Sequence, residues 1–154
     1  VPNFSTHNND RDNDGDHNDD DARIVYFGHT ADTADRRSSV SLLTRYFAAA
    51  AAGNGAAGCA QLAPFLAESL AEEYGRSSGL RGATCPAVLS KLFRLHRGML
   101  VRKWATLRVV GVRVEGDRAL AILYFGAIPE TRQMTERRVG GVWRLVQPFD
   151  GLIE

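Results

Sequence analysis

The residues best suited to chemistry lie near the N-terminal end, in the run Asp10-Arg11-Asp12-Asn13-Asp14-Gly15-Asp16-His17-Asn18-Asp19-Asp20-Asp21. Carboxylates alternate at Asp10, Asp12, Asp14 and Asp16, Gly15 takes the sixth place, and Asp21 takes the twelfth. A loop that wraps Ca²⁺ needs oxygen ligands at this spacing and a glycine at its sharp turn. Several features depart from that pattern. Asp21 is shorter than the bidentate Glu usual at the last position, His17 stands where an apolar residue locks the loop down, and both flanks are polar. Two readings stay open. In the first, the run is an acidic, hydrated spacer, because like charges extend a linker. In the second, Asp10, Asp12, Asp14, Asp16 and Asp21 bind calcium as a solitary extracellular loop. No other cofactor is expected.

The rest of the chain offers little nucleophilic or phosphate-binding chemistry. No G-x-S-x-G elbow and no phosphate loop occur, and Ser38, Ser39 and Ser41 read as capping and surface residues. Two cysteines, Cys59 and Cys85, are too far apart and too unaccompanied for a zinc site. Both sit where a helix starts, one after Gly53-Asn54-Gly55 and one before Pro86, which favours a disulfide over two buried thiols. Disulfides persist outside the cytosol. The expected location is therefore extracytoplasmic, secreted or tethered at the cell envelope, with any signal peptide lying outside this chain.

The charge is split. Residues 1–35 hold nine Asp against Arg11 and Arg23, a net of −7, while residues 36–154 hold 17 Lys and Arg against nine Asp and Glu, a net of +8. The first 21 residues are too poor in apolar groups to fold alone. The expected organisation is an acidic head or linker over residues 1–30 and one domain over residues 31–154. Lys91, Arg94, Arg97, Arg102 and Lys103 form a basic cluster, but no nucleic-acid motif accompanies it, so nucleic acid is not an expected partner. Anionic lipid or wall polymer is the expected external counter-charge, and the simplest account is internal, with the head set against the body.

The elements that position these residues follow from periodicity. Val40, Leu43, Tyr46, Phe47 and Ala50 recur on one helical face, so a helix is predicted from about Ala34 to Ala52, stopping at Gly53-Asn54-Gly55. A second helical stretch is predicted from about Ala56 to Tyr74, interrupted at Pro64, followed by a loop from Gly75 to Thr84. A third helix starts at Cys85-Pro86, carries Val88, Leu89, Leu92, Phe93 and His96 on its apolar face, and is expected to end at Gly98. Beyond Trp104 the period becomes two. Strands are predicted over Leu107–Val114, Arg118–Phe125, Glu130–Val139 and Val142–Gln147, joined by tight turns at Glu115-Gly116-Asp117 and Gly140-Gly141. Val110, Val112 and Val114 are expected on one face of the first strand. His29 is expected in a loop, and Trp104 and Trp143 in the core or a cavity wall. The fold class is α+β: three N-terminal helices packed on a curved antiparallel sheet of about four strands.

Five stretches carry a resemblance: Arg45-Tyr46-Phe47-Ala48-Ala49-Ala50, Gly53-Asn54-Gly55-Ala56-Ala57-Gly58-Cys59, Thr84-Cys85, Val112-Arg113-Val114-Glu115-Gly116-Asp117-Arg118-Ala119 and Gly140-Gly141-Val142-Trp143-Arg144-Leu145. In this order they resemble small secreted actinobacterial proteins of the ketosteroid-isomerase-like and nuclear-transport-factor-two-like superfamily, over roughly residues 34–147. The resemblance implies a cone-shaped fold with a cavity between helices and sheet, and members that dimerise through the outer sheet face. Many such proteins are lipoproteins. Cavity candidates are Tyr46, Phe47, Phe93, His96, Tyr124 and Trp143.

Enzymes of that superfamily place an acid or base inside the cone. The first two predicted strands offer no inward carboxylate, and the third (Glu130, Arg132, Glu136, Arg137, Arg138) is too polar for its buried members to be assigned. No catalytic residue is therefore assigned. The expected function is a non-enzymatic ligand-binding or interaction domain at the envelope, taking a small apolar ligand or an envelope protein. The alternative is an isomerase, dehydratase or cyclase in which His96 pairs with Tyr46 or Tyr124 across a cavity.

Overall fold

A computed structural model describes residues 27–77, 79 and 82–147. The acidic run and its five calcium candidates lie outside the described residues. The chain folds as α+β, with one open antiparallel sheet in the order β1-β2-β3-β4-β5. The strands are β1 (His29–Thr30), β2 (Leu107–Glu115), β3 (Arg118–Phe125), β4 (Glu130–Val139) and β5 (Val142–Leu145). The four predicted strands are present, and β1 is a fifth. His29 is thus an exposed strand residue rather than part of a loop. What holds this short edge is Arg113, whose guanidinium donates to the carbonyls of Phe27 and Gly28 and to Thr30 Oγ1.

Helix α1 (Thr33–Ala52) begins where the Asp32 carboxylate accepts the Asp35 N–H at 2.8 Å, a side-chain N-cap. It ends at Gly53, whose φ of 73° is the left-handed conformation glycine adopts without strain. Asn54 then caps α2 (Gly55–Cys59) through the Ala57 N–H. The predicted long second helix is divided. After α2 the chain restarts at Pro64 as α3 (Pro64–Ser69), runs through a π-helical turn (Leu70–Tyr74), and continues helically as α4 (Gly75–Ser77) where a loop was expected.

The third predicted helix is also two. α5 (Cys85–Leu95) stops at His96, and α6 (Arg97–Thr106) follows directly. Gly98 therefore lies near the start of a helix instead of closing one. The break rotates the face that the chain presents to the core. On α6 it is Leu100 and Lys103 that are buried, and Trp104 is turned outward at 37% exposure, contrary to its expected core position.

Helices and sheet share one core. From α1 come Leu42, Leu43, Tyr46 and Phe47, from α5 Leu89 and Phe93, and from the sheet Val112, Ala121, Leu123, Phe125, Met134 and Leu145. Alternation along β3 buries Ala119, Ala121, Leu123 and Phe125, as its period of two predicts. Strand β2 differs from expectation. A bulge between Val109 and Gly111 leaves Val110 unpaired and 43% exposed, while Val112 and Val114 remain inside.

Cys59 and Cys85 form the expected disulfide, with Cα atoms 6.2 Å apart. The bridge joins the end of α2 to the start of α5, and two glycines permit that approach. A Cβ on Gly55 would fall 2.1 Å from the Pro86 carbonyl oxygen, and one on Gly58 would fall 2.9 Å from the Phe93 ring. The Gly55 N–H meanwhile donates to Ser90 Oγ at 3.0 Å. Among the described residues, no helix is long and apolar enough to cross a membrane.

Candidate functional site

Strand β4 alternates Glu130, Arg132, Met134, Glu136 and Arg138 on one face and Thr131, Gln133, Thr135 and Arg137 on the other. Met134 and Glu136 are both fully buried, so the charged row is the one facing the helices. Glu136 lies between Ala119 of β3 and Leu145 of β5 in register. Above it, the buried Ser39 of α1 donates its hydroxyl to Glu136 Oε2 at 2.8 Å. The second carboxyl oxygen, Oε1, is buried with no hydrogen-bond partner among the described residues. Burial pushes this carboxyl up to about 8, and the Ser39 hydrogen bond opposes only part of the rise. The group therefore holds its proton at neutral pH.

Charge pairs bracket this acid. On one side Arg138 bonds Asp35 at 2.9 Å and lies over the Trp143 ring at 4.5 Å. On the other, the buried Lys103 ammonium sits 3.9 Å from Glu130 and 5.0 Å above the Phe125 ring, while Arg132 bonds Glu130 at 3.0 Å. Lys103, read from the sequence as part of a basic surface cluster, is interior.

The six aromatic and histidine candidates are spread over different surroundings. Tyr46, Phe47 and Phe93 are core side chains packed edge to face, with Tyr46 5.6 Å from Phe47 and 6.0 Å from Phe93 between ring centres. Desolvation raises the Tyr46 phenol far above its usual range. Trp143 is buried on β5 under Arg138. His96 is half-buried at the joint between α5 and α6. Tyr124 is on the opposite sheet face from the core row of β3, with Arg108 5.6 Å from its ring centre.

Two open clefts flank α1. One, of about 520 Å³, lies between Arg36, Arg37, Val40 and Val109. The other, of about 400 Å³, is lined by Arg37, Ser38, Ser41, Arg45, Val142 and Trp143. Arg45 is held in place by Gln61 and by the Ser41 hydroxyl, and Arg36 bonds the Val109 carbonyl. Arg37 lines both clefts and has no hydrogen-bond or ion-pair partner among the described residues. Among the described residues no three His, Cys, Asp or Glu side chains group as metal ligands.

Sequence reasoning does not place Ser39, Glu136 or Lys103 in the interior, and Ser39, expected as a capping or surface residue, is fully buried. One signal for Glu136 was present. Met134 is the lone apolar residue from Glu130 to Arg138, and its parity along the strand places Glu136 inside. Ser39 falls one turn before Leu43 and two before Tyr46, on the buried stripe of α1. Comparison with protein-family models, with curated proteins and with solved structures finds no match.

Proposed function

We propose that this chain is an extracytoplasmic, envelope-associated binding domain of the cone-shaped superfamily, with its ligand site in the cleft between α1 and the β4–β5 turn. The observation that carries this reading is Arg37, an exposed guanidinium with no partner among the described residues, which stands beside two serine hydroxyls and the edge of Trp143. A planar donor fork suits a carboxylate or phosphate, and Val142 and Trp143 suit an apolar body. The ligand class is thus a small amphipathic anion. The Cys59–Cys85 bridge supports the compartment, and the order of the helices and strands supports the superfamily.

Titration with phenyl phosphate, and separately with inorganic phosphate, tests the site by NMR. Phenyl phosphate is expected to shift the Trp143 indole N–H and the Ser38 and Ser41 amides, and Arg37→Ala is expected to weaken binding about tenfold. Unmoved resonances at Trp143 would refute the assignment. The enzymatic alternative is favoured by one observation, the buried carboxyl of Glu136. Turnover that is lost in Glu136→Gln and kept in Arg37→Ala would select it.

A further inference from the structure

From Tyr74 to Val114 the sequence holds nine Lys and Arg and no Asp or Glu. Most of this stretch builds α5, α6 and β2. Because Leu100 and Lys103 point α6 into the core, its other face presents Arg97, Val101 and Trp104, spaced one helical turn apart. Val101 is 43% exposed and Trp104 37%, and Leu95, just before the joint at His96, is 66% exposed. Arg94, Arg97 and Arg102 stand exposed among them. Lys103 reaches a carboxylate, Glu130, but does so from the interior.

Three apolar side chains and three guanidinium groups thus crowd into the eleven residues from Arg94 to Trp104. Indole rings favour the headgroup level of a bilayer, where one side of the ring is apolar and the other wet. Arginine stems can lie along apolar surface while their guanidinium groups reach phosphates. A soluble polyanion would engage the arginines and leave Leu95, Val101 and Trp104 in water. A neutral membrane would leave the arginines without counter-charge.

We propose that the α5–α6 corner, with the exposed Leu95, Val101 and Trp104 and the exposed Arg94, Arg97 and Arg102, docks reversibly on an anionic lipid surface. Lipid phosphates supply the counter-charge, and the Trp104 indole enters the interface. These residues are separate from the cleft beside α1, so docking on lipid and ligand binding stand or fall independently.

Co-sedimentation of the full chain with vesicles of equal parts phosphatidylcholine and phosphatidylglycerol tests this, with pure phosphatidylcholine as control. Binding is expected to the anionic vesicles alone and to weaken with added salt. Brominated acyl chains are expected to quench tryptophan emission in the wild type and far less in Trp104→Phe, since Trp143 is buried. Charge removal in Arg97→Gln with Arg102→Gln is expected to lower partitioning by about fivefold per arginine, and Val101→Ser tests the apolar contact should that pair fail to fold. No binding to anionic vesicles at low salt would overturn the proposal. Binding without quenching, matched by binding to soluble polyglutamate, would equally overturn it in favour of a polyanion site.

Discussion

Glu136 is a carboxylic acid placed where a charge is expensive, and its titration sets the sign of a pH effect on stability. The folded chain holds its proton up to about 8, against about 4.5 for an exposed carboxyl. Below the lower value both states are protonated, and the group does not bias folding. Between the two values the unfolded chain has released the proton while the fold still binds it, so raising the pH favours unfolding. Above the higher value the penalty is constant. At about 1.4 kcal/mol per unit, the loss across the window reaches at most about 5 kcal/mol. Glu136→Gln keeps an acceptor for the Ser39 hydroxyl and removes the charge. Urea unfolding at about pH 5 and about pH 8 is expected to show the wild type losing stability and the variant losing much less. Parallel losses in both proteins would mean that Glu136 is not the group responsible. In the sequence the position of this residue rests on one signal, the parity of Met134, because the rest of the strand is polar on both faces. Tyr46, Phe47 and Phe93 were named for a cavity and are core, because a large aromatic on a helical stripe reads the same in both roles.

At the scale of elements, most of the chain was legible. The β2–β3–β4–β5 meander was predicted to within a residue or two at most strand ends, since its turns carry glycine and its strands alternate. What escaped were interruptions inside the predicted elements. The α5–α6 break falls at His96, with neither glycine nor proline at the joint, and the β2 bulge falls at Val110 beside Gly111, a strand glycine that is itself a bulge signal. The joint turns α6 so that Trp104 points outward, and the bulge turns Val110 out while Val112 and Val114 stay inside. The α2–α5 contact is the converse case, since a glycine read from sequence as a stop also serves as a packing surface. Gly55→Ala would set a methyl against the Pro86 carbonyl oxygen and the Ser90 side chain. Overpacking of that kind costs about 1–3 kcal/mol, here raised by loss of the bond between the Gly55 N–H and Ser90 Oγ. The variant is expected to melt several degrees lower than the wild type. Ala57→Ser, at a half-buried position on the same short helix, is expected to change little, and equal melting of Gly55→Ala and wild type would show that α2 can move off α5 freely.

For the whole molecule, the disulfide and the charge split decide stability under different conditions. The Cys59–Cys85 bridge spans a sequence separation of 26 residues, and closing a loop of that size stabilises by roughly 3.5 kcal/mol in the chain-entropy model. Reduction with dithiothreitol is therefore expected to lower the urea midpoint clearly, at low and high salt alike. The charge split behaves otherwise. Residues 1–35 carry −7 and the rest +8, and interactions between solvated charges fall away beyond about 8–10 Å at physiological salt. If the head lies against the basic body, deletion of residues 1–21 lowers stability at low salt and leaves it nearly unchanged at high salt. Calcium sharpens the same measurement. An ion held by Asp10, Asp12, Asp14, Asp16 and Asp21 would neutralise part of the head and so reduce the salt-dependent term, and calorimetry of the full chain would show heat that the deleted chain lacks. The full and shortened chains, each melted at low and high salt with and without calcium, separate the readings. A salt-dependent loss without calcium heat supports internal pairing, heat lost with the deletion supports the metal loop, and neither effect leaves the acidic run as a spacer.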